Sequence, residues 1–188
     1  YLCDMPNEIG TIFYVMEYIK GRNFLDPRLP GIDSQERKKI YADMNKCMAE
    51  LHRINTKSVG LDNYGKPGNY FSRQLSLWSN QYDLSVTEPN EKMQTLKKWL
   101  EENLKQEAIN STLIHGDWRI DNLIFSDHQA KLVAVLDWEL STLGDPRVDL
   151  ASQIMQWSMP QGKNGRGLEG LDRKKFGIPE DNEFIEEY

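Results

Sequence analysis

The chain has 188 residues, of which 23 are Lys or Arg and 29 are Asp or Glu, so its formal net charge is −6. Hydrophobic residues make up 39% of the chain and charged residues 28%, which indicates one folded domain or one large lobe. The acidic balance argues against a general nucleic-acid or anionic-membrane binder, because both need a basic face. No apolar stretch is long enough to cross a bilayer. Two cysteines are too few for a disulfide framework or a metal cluster.

The first part of the chain predicts a strand, an irregular segment and a long helix. Residues 11–19 are rich in β-branched and aromatic residues and predict a strand that ends before Lys20-Gly21. Residues 22–33 carry Pro and Gly in loop contexts and are expected to be irregular. Asp33 followed by Glu36 resembles a capping box and predicts a helix start. Apolar residues then recur at helical spacing and predict one buried face: Ile40, Met44, Cys47, Met48, Leu51 and Ile54.

Two further helices are predicted before residue 105. His52 is interpreted only as a residue at the end of the first helix. A loop over 56–70 precedes a helix over 71–84, which carries aromatic residues at three- and four-residue steps. Asn90 is expected to cap the next helix. The predicted inner face of that helix consists of Met93, Leu96, Leu100 and Leu104.

Short apolar runs change the pattern after residue 111. The runs at 112–114, 122–125 and 131–136 predict three strands, which suggests a small sheet resting on helices. Asp145-Pro146 predicts a helix start, with Pro at the first position. The predicted inner face of that helix consists of Val148, Ala151, Ile154 and Met155.

The residues with the most informative chemistry lie between these strands. Asp117 is followed five residues later by Asn122, and Asp137 comes just after the next pair of strands. This is the spacing of a phosphotransferase catalytic loop. Mg²⁺ prefers hard oxygen ligands, so Asn122 and Asp137 are predicted to share the metal with nucleotide phosphates while Asp117 faces the attacking hydroxyl. Single Asp and Asn residues usually cap turns or helices, but this combination favours catalysis.

His115 comes directly before this motif and could be a catalytic base or a metal ligand. It follows an apolar strand, and Gly116 separates it from Asp117. We therefore expect His115 to hydrogen-bond the loop and fix its shape instead.

Several motifs resemble known families. Leu113–Asp117, Asn122–Phe125 and Val135–Glu139 resemble the aminoglycoside phosphotransferase and choline kinase family. Four more motifs look like the kinase-like domain of acyl-CoA dehydrogenase family members ten and eleven, and they lie at 26–31, 59–61, 68–74 and 140–146. The resemblance covers the chain from about Thr11 to its end. It implies an α+β, protein-kinase-like fold with a mostly helical C-terminal lobe, small β-hairpins and no N-terminal lobe.

The resemblance also implies roles for individual residues. Asp117 matches the catalytic base, and Asn122 and Asp137 match the metal ligands. Asp149 matches an Asp that braces the catalytic loop. The segment 15–19 matches the hinge between lobes, where adenine would pair with the backbone. The implied nucleotide-binding residues are Met16, Glu17 and Ile19.

The domain organisation implied by the resemblance is that of a truncated kinase. Residues 1–20 would be the last N-lobe strand and the hinge, and residues 21–188 would be the C-terminal catalytic lobe, truncated at both ends. The phosphate-covering loop, the strand Lys and the helix Glu of such kinases cannot be placed before Thr11. We therefore expect these 188 residues alone to have little or no kinase activity.

The implied substrate is a hydroxyacyl-CoA that is phosphorylated by Mg-ATP in fatty-acid catabolism. Candidate substrate residues are Arg73, Arg119, Tyr70 and Trp78, although each arginine could equally form a surface salt bridge. FAD is expected only in a downstream domain, if one is present. An intracellular location is expected, mitochondrial or peroxisomal by resemblance and cytoplasmic otherwise. The alternatives are a stand-alone kinase for an amino alcohol or sugar and a non-catalytic pseudokinase binding module.

Overall fold

A computed structural model describes residues 2–66, 68–104, 111–162 and 166–188. The helices in these ranges are α1 Ser34–His52, α2 Tyr70–Ser85, α3 Glu91–Asn103, α4 Arg147–Ser158, α5 Arg173–Phe176 and α6 Asp181–Glu187. The strands are β1 Leu2–Cys3, β2 Phe13–Tyr14, β3 Arg22–Asn23, β4 Thr112–Ile114, β5 Leu123–Phe125, β6 Leu132–Val135 and β7 Thr142–Gly144. Single 3₁₀ turns cover Ile120–Asn122 and Trp138–Leu140. The predicted α+β class is confirmed.

The strands form three small antiparallel sheets, β1–β2, β3–β5–β6 and β4–β7. The predicted strands β4, β5 and β6 are present, but they do not form one sheet. β4 pairs with β7, with Leu113 opposite Leu143, and β7 has the sequence Thr-Leu-Gly, which contains no apolar run that would predict a strand. The segment 22–33 was expected to be irregular, yet Arg22 pairs with Phe125 as part of β3.

The strand predicted over 11–19 is wrong except at Phe13–Tyr14. Within the described residues, the neighbouring strand β1 contains only Leu2 and Cys3, so β2 has two residues to pair with. Strand propensity depends on packing against a partner, and the side chains of Val15 and Tyr18 are 57% and 86% exposed. The apolar composition of this segment therefore does not produce a longer strand.

The first predicted helix is α1. Its N-cap Asp33 accepts hydrogen bonds from the backbone N–H groups of Gln35 and Glu36, both at 2.9 Å. The reciprocal half of a capping box is absent, because the Glu36 carboxylate accepts a hydrogen bond from Arg22 at 2.7 Å. This contact joins the start of α1 to β3.

The core of the fold surrounds α1, which packs against β4, β6, α5 and α6. Four of the six predicted core residues are buried, namely Ile40, Met44, Met48 and Leu51. Burial of one such side chain contributes about 1.5–3 kcal/mol. Cys47 is half-buried, and Ile54 lies beyond the helix end with 38% of its surface exposed.

Two predicted inner faces are wrong. In α3, whose N-cap Asn90 is confirmed, Met93 and Leu100 are only half-buried, whereas Leu96 and Leu104 are exposed. This helix packs mainly against α2, so its apolar stripe is not covered by the core.

The inner face of α4 is also different from the prediction. Ala151 and Met155 are exposed, and Val148 and Ile154 are half-buried. The buried residues of α4 are Asp149, Leu150, Gln153 and Trp157. Two polar residues therefore occupy the inner face, which an apolar periodicity cannot reveal.

In the described part of the chain, no helix combines the length and the apolar character that spanning a bilayer requires.

Candidate active site

The loop from His115 to Asn122 connects β4 to β5 and carries most of the predicted catalytic residues. Its sharp turn requires Gly116, which has a φ of +85°. A Cβ atom at Gly116 would lie 2.5 Å from the carbonyl oxygen of Leu140. The loop therefore passes directly against the 3₁₀ turn that follows Asp137.

Asp149 on the first turn of α4 holds the beginning of this loop. Its side chain is fully buried and accepts hydrogen bonds from the backbone N–H groups of His115 and Gly116, both at 2.7 Å. A buried carboxylate is costly unless it is hydrogen-bonded or paired. Asp149 thus makes the contacts expected of a residue that braces the loop.

His52 is a third donor to Asp149, and sequence reasoning missed this contact. Its Nε2 lies 2.9 Å from Asp149 Oδ2, and its Nδ1 lies 2.6 Å from the hydroxyl of Tyr188. His52 is buried. A signal was present in the sequence, because His52 follows Met44 and Met48 at four-residue steps on the buried stripe of α1.

His115 is fully buried and both of its ring nitrogens contact the backbone. Its Nδ1 accepts a hydrogen bond from the backbone N–H of Asp117 at 3.3 Å, so its Nε2 carries the proton that is donated to the Leu136 carbonyl oxygen at 2.8 Å. His115 therefore links the loop to the end of β6.

Asp117 and Asn122 are in direct contact. The Asn122 amide nitrogen donates to the Asp117 backbone oxygen at 3.0 Å and to its carboxylate at 3.1 Å. These bonds orient the Asp117 carboxylate and use the nitrogen of Asn122, which keeps the amide oxygen as the group available for a metal.

Arg119 lies on the other side of Asp117. Its Nε is 3.5 Å from the Asp117 carboxylate, and its Nη2 donates to Asp121 at 2.9 Å. The salt-bridge alternative for Arg119 is therefore the one that the contacts support, and Arg119 does not line the cavity described below.

Asp137 is held next to the loop by its neighbour Leu136. The Leu136 N–H donates to the Asn122 carbonyl oxygen at 2.8 Å, and the Leu136 carbonyl accepts from His115. Asp137 itself is exposed and has left-handed backbone angles, φ 64° and ψ 59°. This backbone conformation costs roughly 1 kcal/mol for most residues and is tolerated best by Asn, Asp and Gly.

The predicted hinge residues precede β3. Met16 and Glu17 are exposed and Ile19 is half-buried. The chain then passes close to β5 at Gly21, where a Cβ atom would lie 2.4 Å from the backbone oxygen of Phe125. The hinge assignment remains a prediction.

Asn23 of β3 ties this part of the chain to the catalytic loop. Its amide nitrogen donates to the backbone oxygens of Asp121 at 2.7 Å and Leu123 at 3.0 Å. Sequence reasoning did not identify Asn23, since a lone Asn in an irregular segment carries no distinctive pattern.

A cavity of about 560 Å³ borders the loop at Gly116 and contains three of the four predicted substrate residues, Tyr70, Arg73 and Trp78. The Arg73 guanidinium binds the backbone oxygens of Lys66, at 2.7 Å, and Gly68. Burial raises the pKa of the Tyr70 hydroxyl, and the negative charge of Asp149 raises it further. Tyr70 therefore stays protonated and can donate a hydrogen bond.

The donor chemistry fits the predicted magnesium ion. Within the described ranges, no group of three or more His, Cys, Asp or Glu side chains is arranged to hold a metal alone. Asn122 and Asp137 provide an amide oxygen and a carboxylate, which suits an ion whose remaining ligands are waters and phosphates.

Comparison with known proteins identifies the family of the chain. Residues 1–179 match the Phosphotransferase enzyme family. The chain is 40% identical over its full length to mouse acyl-CoA dehydrogenase family member 10, and 39% identical over 99% of its length to human member 11. It spans only 18% and 24% of those proteins.

Solved structures share the fold. A protein from Ralstonia eutropha, assigned to the aminoglycoside phosphotransferases, superposes with a TM-score of 0.90 at 43% identity, over 100% of this chain and 57% of that one. The ADP-bound aminoglycoside phosphotransferase APH(2'')-Ib superposes with a TM-score of 0.55 at 20% identity, over 91% of this chain and 54% of that one.

The family match covers residues 1–179, and the superposition at 43% identity covers the whole chain. The chain belongs to the phosphotransferase enzyme family, and its fold is the kinase-like fold of the aminoglycoside phosphotransferases.

Proposed function

We propose that this chain is the catalytic lobe of an ATP-dependent kinase that phosphorylates the hydroxyl of a small molecule, with Asp117 as the catalytic base. The observation that carries the proposal is the pair of hydrogen bonds from Asn122 to Asp117. They place a carboxylate and a candidate metal ligand side by side in a loop that Asp149 holds from behind.

The Asp117 carboxylate orients the substrate hydroxyl and accepts its proton. The hydroxyl oxygen then bonds to the γ-phosphorus while the bond from that phosphorus to the ADP oxygen breaks. Positioning of this kind contributes more than covalent chemistry in phosphoryl transfer. The Arg119 Nε lies 3.5 Å from the Asp117 carboxylate and helps to hold it in position.

Asn122 and Asp137 would hold Mg²⁺, which neutralises charge on the phosphates when it is bound. Residues 1–20 comprise the end of an N-terminal lobe, in which β2 is the last strand, and the hinge, where the backbone of Met16, Glu17 and Ile19 binds adenine. Residues 21–188 form the catalytic lobe. Support comes from the same-fold enzyme that was solved with ADP.

A hydroxyacyl-CoA is the substrate that we favour over an amino alcohol or a sugar. Relatives that share 39–40% identity are named acyl-CoA dehydrogenase family members. Lys66 and Arg73 line the cavity next to the loop, and cations suit the phosphates and carboxylates of such a thioester. The proposed role is fatty-acid catabolism in mitochondria or peroxisomes, with FAD confined to a separate domain.

A non-catalytic pseudokinase is less consistent with Asp137. This residue takes up an unfavourable left-handed conformation at an exposed position, and its side chain makes no capping hydrogen bond to the turn that it precedes. Strained backbone of this kind usually persists where a functional site requires it, which favours a metal ligand over a binding module that has no catalytic role.

The test incubates the complete gene product with Mg-ATP and a panel of hydroxyacyl-CoAs, amino alcohols and sugars, and detects phosphate esters by mass spectrometry. We expect phosphorylated hydroxyacyl-CoA and no product from the matching acyl-CoA without the hydroxyl. Transfer to an amino alcohol or sugar alone would overturn the substrate assignment. Absence of transfer to every compound would overturn the proposed function.

A further inference from the structure

Helices α2 and α3 enclose a groove that the proposed chemistry does not use. Its volume is about 430 Å³, and its apolar lining residues are Phe71, Leu75, Trp78, Trp99, Leu100 and Leu104. Within the described residues, no Asp, Glu, Lys or Arg lines it. The lining of the groove therefore suits an apolar group better than a charged one.

The residues of this groove are unusually exposed for their type. Trp78 and Trp99 are 53% and 55% exposed, and Leu104 is 41% exposed. Two tryptophans and a leucine in one groove form a contiguous apolar patch, and such patches mark binding sites. Single exposed apolar residues would need no such explanation.

The groove continues from the cavity that borders the catalytic loop. Phe71, Gln74 and Trp78 line both of them, and they form one stripe along α2. The Trp78 indole nitrogen donates a hydrogen bond to the Gln74 side chain at 3.0 Å, which holds the ring between the two spaces. A ligand can therefore extend from Gly116 over Trp78 into the groove.

The two spaces differ in charge. The cavity next to the loop has Lys66, Arg73 and Glu139 in its lining, whereas the groove is apolar. A ligand that fills both must be polar at one end and aliphatic at the other. A sugar or an amino alcohol has no such aliphatic part, and an acyl chain does.

We propose that the groove between α2 and α3 binds the aliphatic chain of the hydroxylated substrate. The inference rests on the proposed function, because it assumes that the hydroxyl is presented to Asp117. Trp78 and Phe71 contact the start of the chain, and Trp99, Leu100 and Leu104 contact its distal part.

The test measures kcat/KM of the complete gene product for hydroxyacyl-CoAs that carry the hydroxyl at the same position and differ only in chain length. We expect kcat/KM to rise about fourfold for each added methylene until the groove is full, because each buried methylene adds a similar free energy. Trp99→Gln and Leu104→Gln should each flatten this dependence. Leu84→Gln is the matched control, because Leu84 lies on α2, is 89% exposed and is not part of the groove.

A second readout does not depend on catalysis. Binding of an acyl-CoA without a hydroxyl should shift the tryptophan fluorescence of the protein, and Trp99→Phe should reduce the shift while retaining the fold. Phosphorylation with no dependence on chain length overturns the groove assignment and leaves the proposed function intact. A fluorescence shift that Trp99→Phe reduces, without any phosphorylation, supports the groove and contradicts the proposed function. If another segment of the protein or a second copy covers the groove, neither the chain-length dependence nor the Trp99-dependent fluorescence shift is seen. That result also overturns the assignment.

Discussion

The catalytic loop and α2 border the same cavity, but the loop is fixed by buried groups whereas the α2–α3 pair is largely exposed. The loop is fastened from inside by polar groups, since the buried Asp149 binds two of its backbone N–H groups and His52 binds Asp149. The helix pair is joined at its surface, where Lys97 of α3 pairs with Asp83 of α2 at 2.7 Å, and α3 has no buried residue in the described structure. A catalytic loop held by buried groups next to an exposed helix pair suits an enzyme that positions one hydroxyl but accepts a variable chain.

The largest expected effect concerns the loop. Asp117→Asn removes the proposed base while preserving the shape of the side chain, so kcat of the complete gene product should fall about 10²–10⁴-fold. ATP affinity should change little, because Asp117 is not among the proposed nucleotide contacts. The control is Asp127→Asn, which should retain activity. It changes a turn carboxylate that pairs with Lys20 at 3.6 Å. An unchanged kcat for Asp117→Asn would show that the base is misassigned.

The second prediction tests the brace. Asp149→Asn leaves His115 N–H, Gly116 N–H and His52 with one acceptor fewer in a buried site, which should destabilise the loop by about 3 kcal/mol. Hydrogen exchange of the His115 and Gly116 amides should therefore accelerate about 100-fold. Exposed Asp62 provides the control change, Asp62→Asn, which should leave both amides protected. Equal protection in the two variants would contradict the brace.

The third prediction compares two tryptophans. Trp157 of α4 is 3% exposed and packs against Phe184 with ring centroids 4.9 Å apart. Trp157→Ala should therefore cost about 3–5 kcal/mol. Trp99→Ala should cost about 1 kcal/mol or less, since Trp99 is 55% exposed. Urea unfolding of the two variants measures the difference, and similar losses would mean that α3 belongs to the core.

The smallest expected effect is a pH dependence on α1. Burial raises the pKa of the Cys47 thiol from 9.0 to about 11. The unfolded thiol ionises first, so the stabilisation is fully present below pH 9 and is lost as the pH rises to about 11. Cys47→Ser should reduce this loss. The difference in stability between the unmodified protein and Cys47→Ser isolates the contribution of Cys47 from that of tyrosines such as Tyr41, whose pKa burial also raises. Parallel stability curves for both proteins above pH 9 would contradict the assignment.

Much of the fold could be predicted because it depends on local patterns. The buried stripe of α1 follows from helical spacing, and the caps at Asp33 and Asn90 follow from side chains that satisfy free N–H groups. The failures lie where distant partners decide. In the described residues the apolar stripe of α3 packs mainly against another helix, and the inner face of α4 carries Asp149 because a loop more than thirty residues earlier needs an acceptor.

The candidate residues of the site could be selected from the amino-acid sequence alone. The spacing of Asp117, Asn122 and Asp137 indicates a catalytic loop, because the loop and the hairpin after it are short enough for spacing to limit geometry. The folded structure was needed to show that His52 supports Asp149, that Asn23 anchors the loop and that an apolar groove continues from the cavity. Each of these depends on residues far apart in the chain, and periodicity carries no information about which distant segments meet.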